Sequence, residues 1–155
     1  MKRTLQLGAL VLLTGFTGLG IQAADPVPYP VDFRNWTFVK SGSSAARGGV
    51  HHIFANEKAM EGYKSGKFPE GSMIAFDVIS TTDIAGLPMD GPRALVDVMV
   101  KDGAKYAQAG GWGFEEFVGD SQTNRALDAA RQQACFACHT SQKDHDYVFS
   151  RWPAK

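Results

Sequence analysis

The sequence predicts an α+β fold, built on a mostly antiparallel β-sheet of about five strands with a few short helices. Runs of five to nine residues rich in β-branched and aromatic side chains recur along the chain, and turn-forming segments separate them. The chain also has seventeen glycines in 155 residues, which favours many turns over a purely helical bundle. A chain of this length corresponds to one domain that can bury a core of its own.

The predicted strands, in chain order, are residues 36–40, 50–55, 72–80, 93–100 and 112–118. Asn56 is a candidate N-cap for a short helix that ends by Gly66. A second helix is predicted over residues 124–134, and a helical turn over residues 101–108. Residues 41–49 and 81–91 are predicted to be loops.

The first 24 residues have the layout of a secretory signal peptide. A basic start at residues 1–3 precedes an apolar stretch at residues 5–21, and small residues follow at Ala23 and Ala24. We therefore expect export to the periplasm and a mature domain that covers residues 25–155. No later stretch is apolar over membrane-spanning length, so the mature chain is expected to stay out of the membrane.

The charge balance argues against some partners. Sixteen basic residues balance sixteen acidic ones, so nothing in the composition indicates nucleic acid or anionic lipid as a ligand.

The strongest chemical signal is the motif Cys-x-x-Cys-His at Cys135, Cys138 and His139. This is the attachment signature of c-type haem. Its spacing lets two thiols reach the two vinyl groups on one edge of a porphyrin, while the next residue presents an imidazole to the iron. The sequence therefore predicts one covalent haem c per chain, with His139 as the proximal iron ligand.

Two other interpretations of the cysteines are weaker. A redox Cys-x-x-Cys normally opens a helix after a strand in an alternating α/β pattern, and here it lies late in the chain. A structural zinc site needs a fourth ligand, and no second Cys-x-x-Cys exists. For the other nitrogen of His139, the polar residues Asp144, His145 and Asp146 are candidate partners, and a backbone carbonyl is the commoner one.

The haem motif, together with several segments before and after it, makes the chain resemble cytochrome P-460 and its relatives, the cytochromes c′-beta. The resemblance covers residues 31–152, and its ordered set is more specific than any one block: residues 50–56, 64–71, 72–80 and 100–102, then Gly111, Trp112, the haem motif and residues 146–149. It implies a mostly antiparallel sheet with few helices and a homodimer.

The resemblance also makes one position decisive for function. Enzymes of the cytochrome P-460 type oxidise hydroxylamine and carry a lysine bonded to the porphyrin, and Phe76 occupies that lysine's place here. Phenylalanine cannot form this bond. A phenylalanine over the haem is instead similar to the cytochromes c′-beta. The resemblance to them implies a five-coordinate iron that admits nitric oxide and carbon monoxide.

Further distal candidates follow from the same comparison. His51, or His52 in a shifted register, matches an arginine of the enzymes, and the two face opposite sides of one strand. Asp97 matches their carboxylate and could carry protons, or could simply face solvent. Trp112 is expected to pack around the porphyrin or in the core.

Three functions remain open from the sequence. The first is binding of a small gas such as nitric oxide on a five-coordinate iron capped by Phe76. The second is an oxidoreductase acting on hydroxylamine or nitric oxide, with Asp97 or His51 moving protons. The third is plain electron transfer to a partner protein, for which Met73, Met89 and Met99 are possible axial ligands.

Overall fold

The computed structural model describes residues 26–44 and 49–153. The predicted signal peptide, residues 1–24, lies outside the described residues. In the described part, no helix is long and apolar enough to cross a membrane.

Five antiparallel strands form one sheet in the described residues, and their spatial order follows the chain. The strands are β1 (Thr37–Ser44), β2 (Gly49–Ala55), β3 (Met73–Ile84), β4 (Leu87–Lys101) and β5 (Trp112–Val118). Helix α1 (Glu57–Ser65) connects β2 to β3, and helix α2 (Ala129–His139) follows β5. Three short 3-10 turns complete the described chain, at Phe33–Asn35, Ala107–Ala109 and Thr140–His145. The predicted α+β class and the predicted strand number are both confirmed.

The two faces of the sheet are covered differently. One face, called the cavity face because the cavity described below lies on it, carries Ile53, Ile74 and Phe114. It packs against both helices and the C-terminal segment. The opposite face carries Ala75, Val96 and Val98 and packs against the segment that leads into β1, through Val27 and Phe33. Because side chains alternate along a strand, each strand contributes to both cores.

Helix α1 begins where the sequence predicts. The Asn56 side chain accepts a hydrogen bond from the backbone N–H of Ala59 at 2.9 Å and a second one from Met73 N at 3.0 Å. It therefore caps the helix and ties it to the start of β3. Gly66 ends the helix with φ of 82°, a conformation that suits glycine.

The predicted loop at residues 81–91 is wrong, because β3 and β4 continue through most of it as a hairpin. Its two-residue turn is Ala85-Gly86, and both residues have positive φ. The side chains beyond Thr81 on both strands are mostly exposed and include many turn-forming types, so no hydrophobic alternation marks these strands. The outer ends of β3 and β4 satisfy their backbone hydrogen bonds by pairing with each other, and the sequence pattern of one strand does not reveal this pairing.

The second helix is also shifted from its predicted position at residues 124–134. It begins at Ala129 because the Asp128 side chain caps it, accepting from Arg131 N at 2.8 Å. The preceding residues pair with the edge of β5 instead, through an Arg125–Phe117 bridge and a bond from Ala126 N to Glu116 O. The helix then runs on to His139, so the cysteine motif lies within it. Of the helical turn predicted at residues 101–108, the structure forms a 3-10 turn at Ala107–Ala109.

A buried carboxylate organises the opposite face. Asp77 is 2% exposed, and it accepts hydrogen bonds from Arg34 Nη2 at 2.8 Å and Arg93 Nε at 2.6 Å. A bulge in the pairing opposite Val78 and Ile79 turns Arg93 toward this face. Arg93 also pairs with the exposed carboxylate of Asp120. This network fixes the chain before β1 to the centre of the sheet.

We expect Asp77→Ala to lower the free energy of unfolding by about 3 kcal/mol, because it removes the buried member of the ion pairs that Arg93 makes. Arg93, whose side chain is 10% exposed, is then left with the solvent-exposed carboxylate of Asp120. Urea unfolding followed by circular dichroism measures the change. Asp120→Ala is the control: its side chain is 82% exposed, and its loss should cost less than about 1 kcal/mol. Equal small losses for both variants would contradict this account.

Candidate haem-binding site

A cavity of about 430 Å³ lies between the cavity face of the sheet and the C-terminal segment. Its walls are mainly apolar, and all three residues of the Cys-x-x-Cys-His motif border it. The lining consists of Ile53, Ile74, Phe76, Asp97, Val98, Met99, Phe114, Glu115, Leu127, Cys135, Cys138, His139, Val148, Phe149 and Ser150. A volume of this size and an apolar lining are typical of a cofactor pocket.

Strand register arranges the floor of this cavity in rows. Phe76 on β3 pairs with Ile53 on β2 and with Asp97 on β4, so these three side chains lie next to one another on the same face. The next row joins Met99 to Ile74 on one side and to Phe114 on the other. The floor formed by these two rows is thus apolar except for the carboxylate of Asp97, while Glu115, which also borders the cavity, accepts a hydrogen bond from Arg125 at 3.0 Å.

The two cysteines come from α2. They are three residues apart on the helix, which places them on neighbouring positions of one face, and neither is part of a disulfide within the described residues. Cys135 is half-buried and Cys138 is exposed. Two thiols at one border of an apolar cavity are what thioether attachment of a porphyrin requires.

The imidazole of His139 is fixed on three sides. Its Nδ1 lies 2.7 Å from the backbone oxygen of Tyr147, and the rings of Phe114 and Phe149 each have centroids 4.9 Å away. A carbonyl oxygen can only accept, so Nδ1 carries the proton and the lone pair of Nε2 is available to a metal. Burial lowers the pKa of His139, and the bond to Tyr147 opposes that shift. The neutral ring is the form that binds iron.

The partner of His139 is therefore a backbone carbonyl and not one of the polar side chains at residues 144–146. The turn that supplies it has two residues with positive φ, Asp146 at 52° and Tyr147 at 65°. Such a conformation is costly outside glycine and needs support from its surroundings.

Asp146 provides that support. Its carboxylate accepts from Lys101 Nζ at 2.7 Å and from Phe68 N at 2.8 Å, and its backbone oxygen accepts from Trp112 Nε1 at 2.8 Å. Gly110 completes the arrangement, because a Cβ there would lie 2.5 Å from the Tyr147 ring. Trp112 is fully buried and does not border the cavity, so it acts on the site through this turn.

The predicted distal residues lie at different depths. Phe76 and Asp97 both border the cavity. His51 is on the same face but behind Phe76, with the two rings stacked at 4.3 Å and 19°. Burial lowers the pKa of His51, and the charges of Lys40 and His52 add to this. His52 faces the other side of the sheet, beside Phe38 and Phe54. Of the three methionines considered as ligands, Met99 borders the cavity, whereas Met73 packs in the core of the opposite face and Met89 is exposed.

Sequence reasoning missed the residues that close the cavity from the C-terminal side. Leu127, Val148, Phe149 and Ser150 belong to irregular segments, where no periodicity assigns a side chain to a face. Ser150 is held by the Tyr63 hydroxyl at 2.6 Å, and burial raises the pKa of that phenol to about 12.

We expect Asp146→Ala to destabilise the protein by about 3 kcal/mol, since it strands the buried ammonium group of Lys101 and removes a residue type that tolerates positive φ. Urea unfolding measures this. Asp146→Asn retains that tolerance and a side-chain acceptor for Phe68 N, so it should lose less. If Asp146→Ala unfolds like the wild type, the turn does not depend on this carboxylate.

The site fits a haem group on the chemistry of its donors: two thiols, one neutral imidazole with an available nitrogen, and an apolar wall. A comparison with protein families agrees, since the model of the family described as Cytochrome P460 matches residues 30–150. A search of curated proteins found no significant match. The chain belongs to the cytochrome P460 family, whose members are haem proteins.

Proposed function

We propose that this chain is an exported mono-haem c-type cytochrome that binds a small neutral gas such as nitric oxide or carbon monoxide. The observation that carries the proposal is the composition of the cavity wall beside β3. Phe76 borders the cavity at the position where the hydroxylamine-oxidising members are expected to have their reactive lysine.

Cys135 and Cys138 would hold the haem as thioethers, and His139 would bind its iron through Nε2. When bound, the haem supplies an iron atom with one protein ligand and one open position for a diatomic gas. Tyr147 and the two flanking phenylalanines keep the imidazole oriented for this role.

The wall formed by Ile53, Phe76 and Met99 selects what enters. Apolar side chains offer no hydrogen bonds to water or to anions, and both lose hydration when they enter such a space. Nitric oxide and carbon monoxide are small and neutral, so they lose little. Among the described residues that border the cavity, His139 is the one histidine, and Met99 supplies the one thioether that could act as a second ligand.

Covalent attachment has a direct test. In acidified acetone, haem should stay with the wild-type polypeptide, whereas the double variant Cys135→Ala, Cys138→Ala should release it. Each single variant should keep one thioether and shift the α-band of the pyridine haemochrome. Release of haem from the wild type would contradict covalent attachment.

Five-coordination is tested by absorption spectroscopy of the purified protein. The reduced form should be high-spin and should bind carbon monoxide, and Phe76→Ala should raise the association rate constant by about tenfold, the effect of removing roughly 1.4 kcal/mol of steric hindrance. Leu at this position is the matched control, because it keeps apolar bulk. A reduced, low-spin protein that does not take up carbon monoxide would favour electron transfer instead.

An oxidoreductase acting on hydroxylamine or nitric oxide is the second candidate function, and it is favoured by the position of Asp97 at the cavity, where a carboxylate can accept or release protons. We expect no steady-state oxidation of hydroxylamine with an artificial electron acceptor. Turnover that Asp97→Asn abolishes would replace gas binding with this assignment.

Export and dimerisation belong to the same proposal. The resemblance to the family's gas-binding members supports a homodimer, and light scattering after size-exclusion chromatography would measure its mass. The layout of residues 1–24 supports secretion to the periplasm, and mass spectrometry of the purified protein would locate the cleavage site near Ala24.

A further inference from the structure

His51 is close to the site without bordering it, and the proposed function leaves it no role. Its ring stacks on Phe76 with a centroid distance of 4.3 Å and an interplanar angle of 19°. Phe76 in turn borders the cavity. We infer that His51 is a positioning residue, which holds the Phe76 ring in place and so sets how fast a gas reaches the iron. This inference rests on the proposed function.

The strand register explains how the two rings meet. His51 pairs directly with Val78, and Phe76 pairs with Ile53. His51 and Phe76 are therefore diagonal neighbours on one face of β2 and β3, within reach of each other as aromatic side chains. Both rings must lean along the strands to stack.

The far side of the imidazole is closed by β1. His51 pairs with Gly42, and a Cβ at that glycine would lie 2.9 Å from His51 Nε2. The absence of a side chain at Gly42 therefore leaves room for the Nε2 end of the imidazole beside β1 while the ring stacks on Phe76. The histidine is thus confined on both sides.

The orientation of the His51 ring depends on ring packing, because its buried nitrogen makes no hydrogen bond within the described residues. His51 Nδ1 is buried and has no hydrogen-bond partner within the part of the chain that the structure describes. The ring is uncharged at neutral pH, because burial and the nearby charges of Lys40 and His52 lower its pKa. The stack on Phe76 is therefore the main contact that stabilises the position of the His51 ring.

The consequence for Phe76 is a restricted ring. On its other flanks Phe76 has Ile53 and Asp97 as cross-strand neighbours, and neither offers a flat surface. The stack on His51 is the contact that fixes the plane of the ring. Without it, the ring can swing away from the cavity more often, and the wall that Phe76 provides opens.

The experiment compares four holoproteins: the wild type, His51→Ala, His51→Phe and His52→Ala. Carbon monoxide association is measured by flash photolysis of the reduced proteins. For His51→Ala we expect an association rate constant three- to tenfold above the wild type, about the change in population that loss of one aromatic pair permits. His51→Phe restores a stacked ring and should bring the rate back to within about twofold of the wild type.

His52→Ala is the matched control, since it removes the same side chain one residue away on the opposite face. Its rate should equal that of the wild type. A second readout is the ring-flip rate of Phe76, measured by NMR on reduced protein under carbon monoxide, and this rate should rise in His51→Ala alone. It reports on the stack directly, so a change in overall stability that leaves Phe76 in place does not mimic it.

The outcomes separate the two proposals. A wild type that takes up no carbon monoxide overturns gas binding, and the ring-flip rates then still judge the role of His51. A wild type that binds carbon monoxide, together with unchanged rates in His51→Ala, overturns the positioning role and leaves gas binding intact. Equal acceleration in His51→Ala and His52→Ala, or no recovery in His51→Phe, also overturns it.

Discussion

The hydrogen bond between His139 Nδ1 and the carbonyl of Tyr147 is the contact on which the site depends. It sets the tautomer of the imidazole and leaves Nε2 available on a ring that borders the cavity. The carbonyl is in place because Asp146 and Tyr147 adopt positive φ, and that strained turn is tied to three separate parts of the fold. Lys101 ends β4, Trp112 begins β5, and Phe68 follows α1, so the position of one carbonyl oxygen is fixed by the whole cavity side of the domain.

The sheet separates stability from chemistry by its two faces. Asp77 and its arginines are on one face, and Phe76, one residue earlier on β3, is on the other. On the opposite face, the buried ion pairs of Asp77 tie the chain before β1 to the centre of the sheet. The cavity face instead keeps apolar side chains against an open volume, and it has less packing to gain from them. The interactions of the opposite face offset this loss, and they keep β3 and β4 in a fixed register below the site.

Much of the fold could be predicted, and the reasons differ between elements. Strand β5 was placed at its true bounds because its aromatic side chains, Trp112 and Phe114 on one face and Phe117 on the other, lie between turn-forming glycines at positions 110, 111 and 119. The hairpin at residues 81–91 could not be recognised, since its strands are exposed and pair with each other without a hydrophobic pattern. The start of α2 was missed because residues 124–126 look helical in composition but satisfy their backbone groups on β5. Tertiary pairing decided both cases, and local preference carries no information about it.

The site was predictable to the extent that covalent chemistry imposes spacing. The motif at Cys135, Cys138 and His139 is visible because two thioethers and an axial ligand require fixed intervals along the chain. Phe76 was found through the resemblance, since no spacing rule marks a residue whose contribution is to be apolar. The carbonyl of Tyr147 leaves no trace in the sequence at all, because any residue has one.

The distal wall shows why residue identity alone is a weak guide to a haem protein's activity. From the sequence alone, His51 is a candidate for moving protons, because histidine does so in other proteins. The stack on Phe76 and the lack of a side chain at Gly42 leave it half-buried behind the wall, and its buried Nδ1 has no hydrogen-bond partner among the described residues. The outcome for Asp97 is the opposite. The sequence allows it to face solvent, but it borders the cavity on the strand next to Phe76. Phe76 and Asp97 thus lie side by side in a single row of the sheet, so the apolar wall of the proposed gas site and the carboxylate that an oxidoreductase would need are direct neighbours.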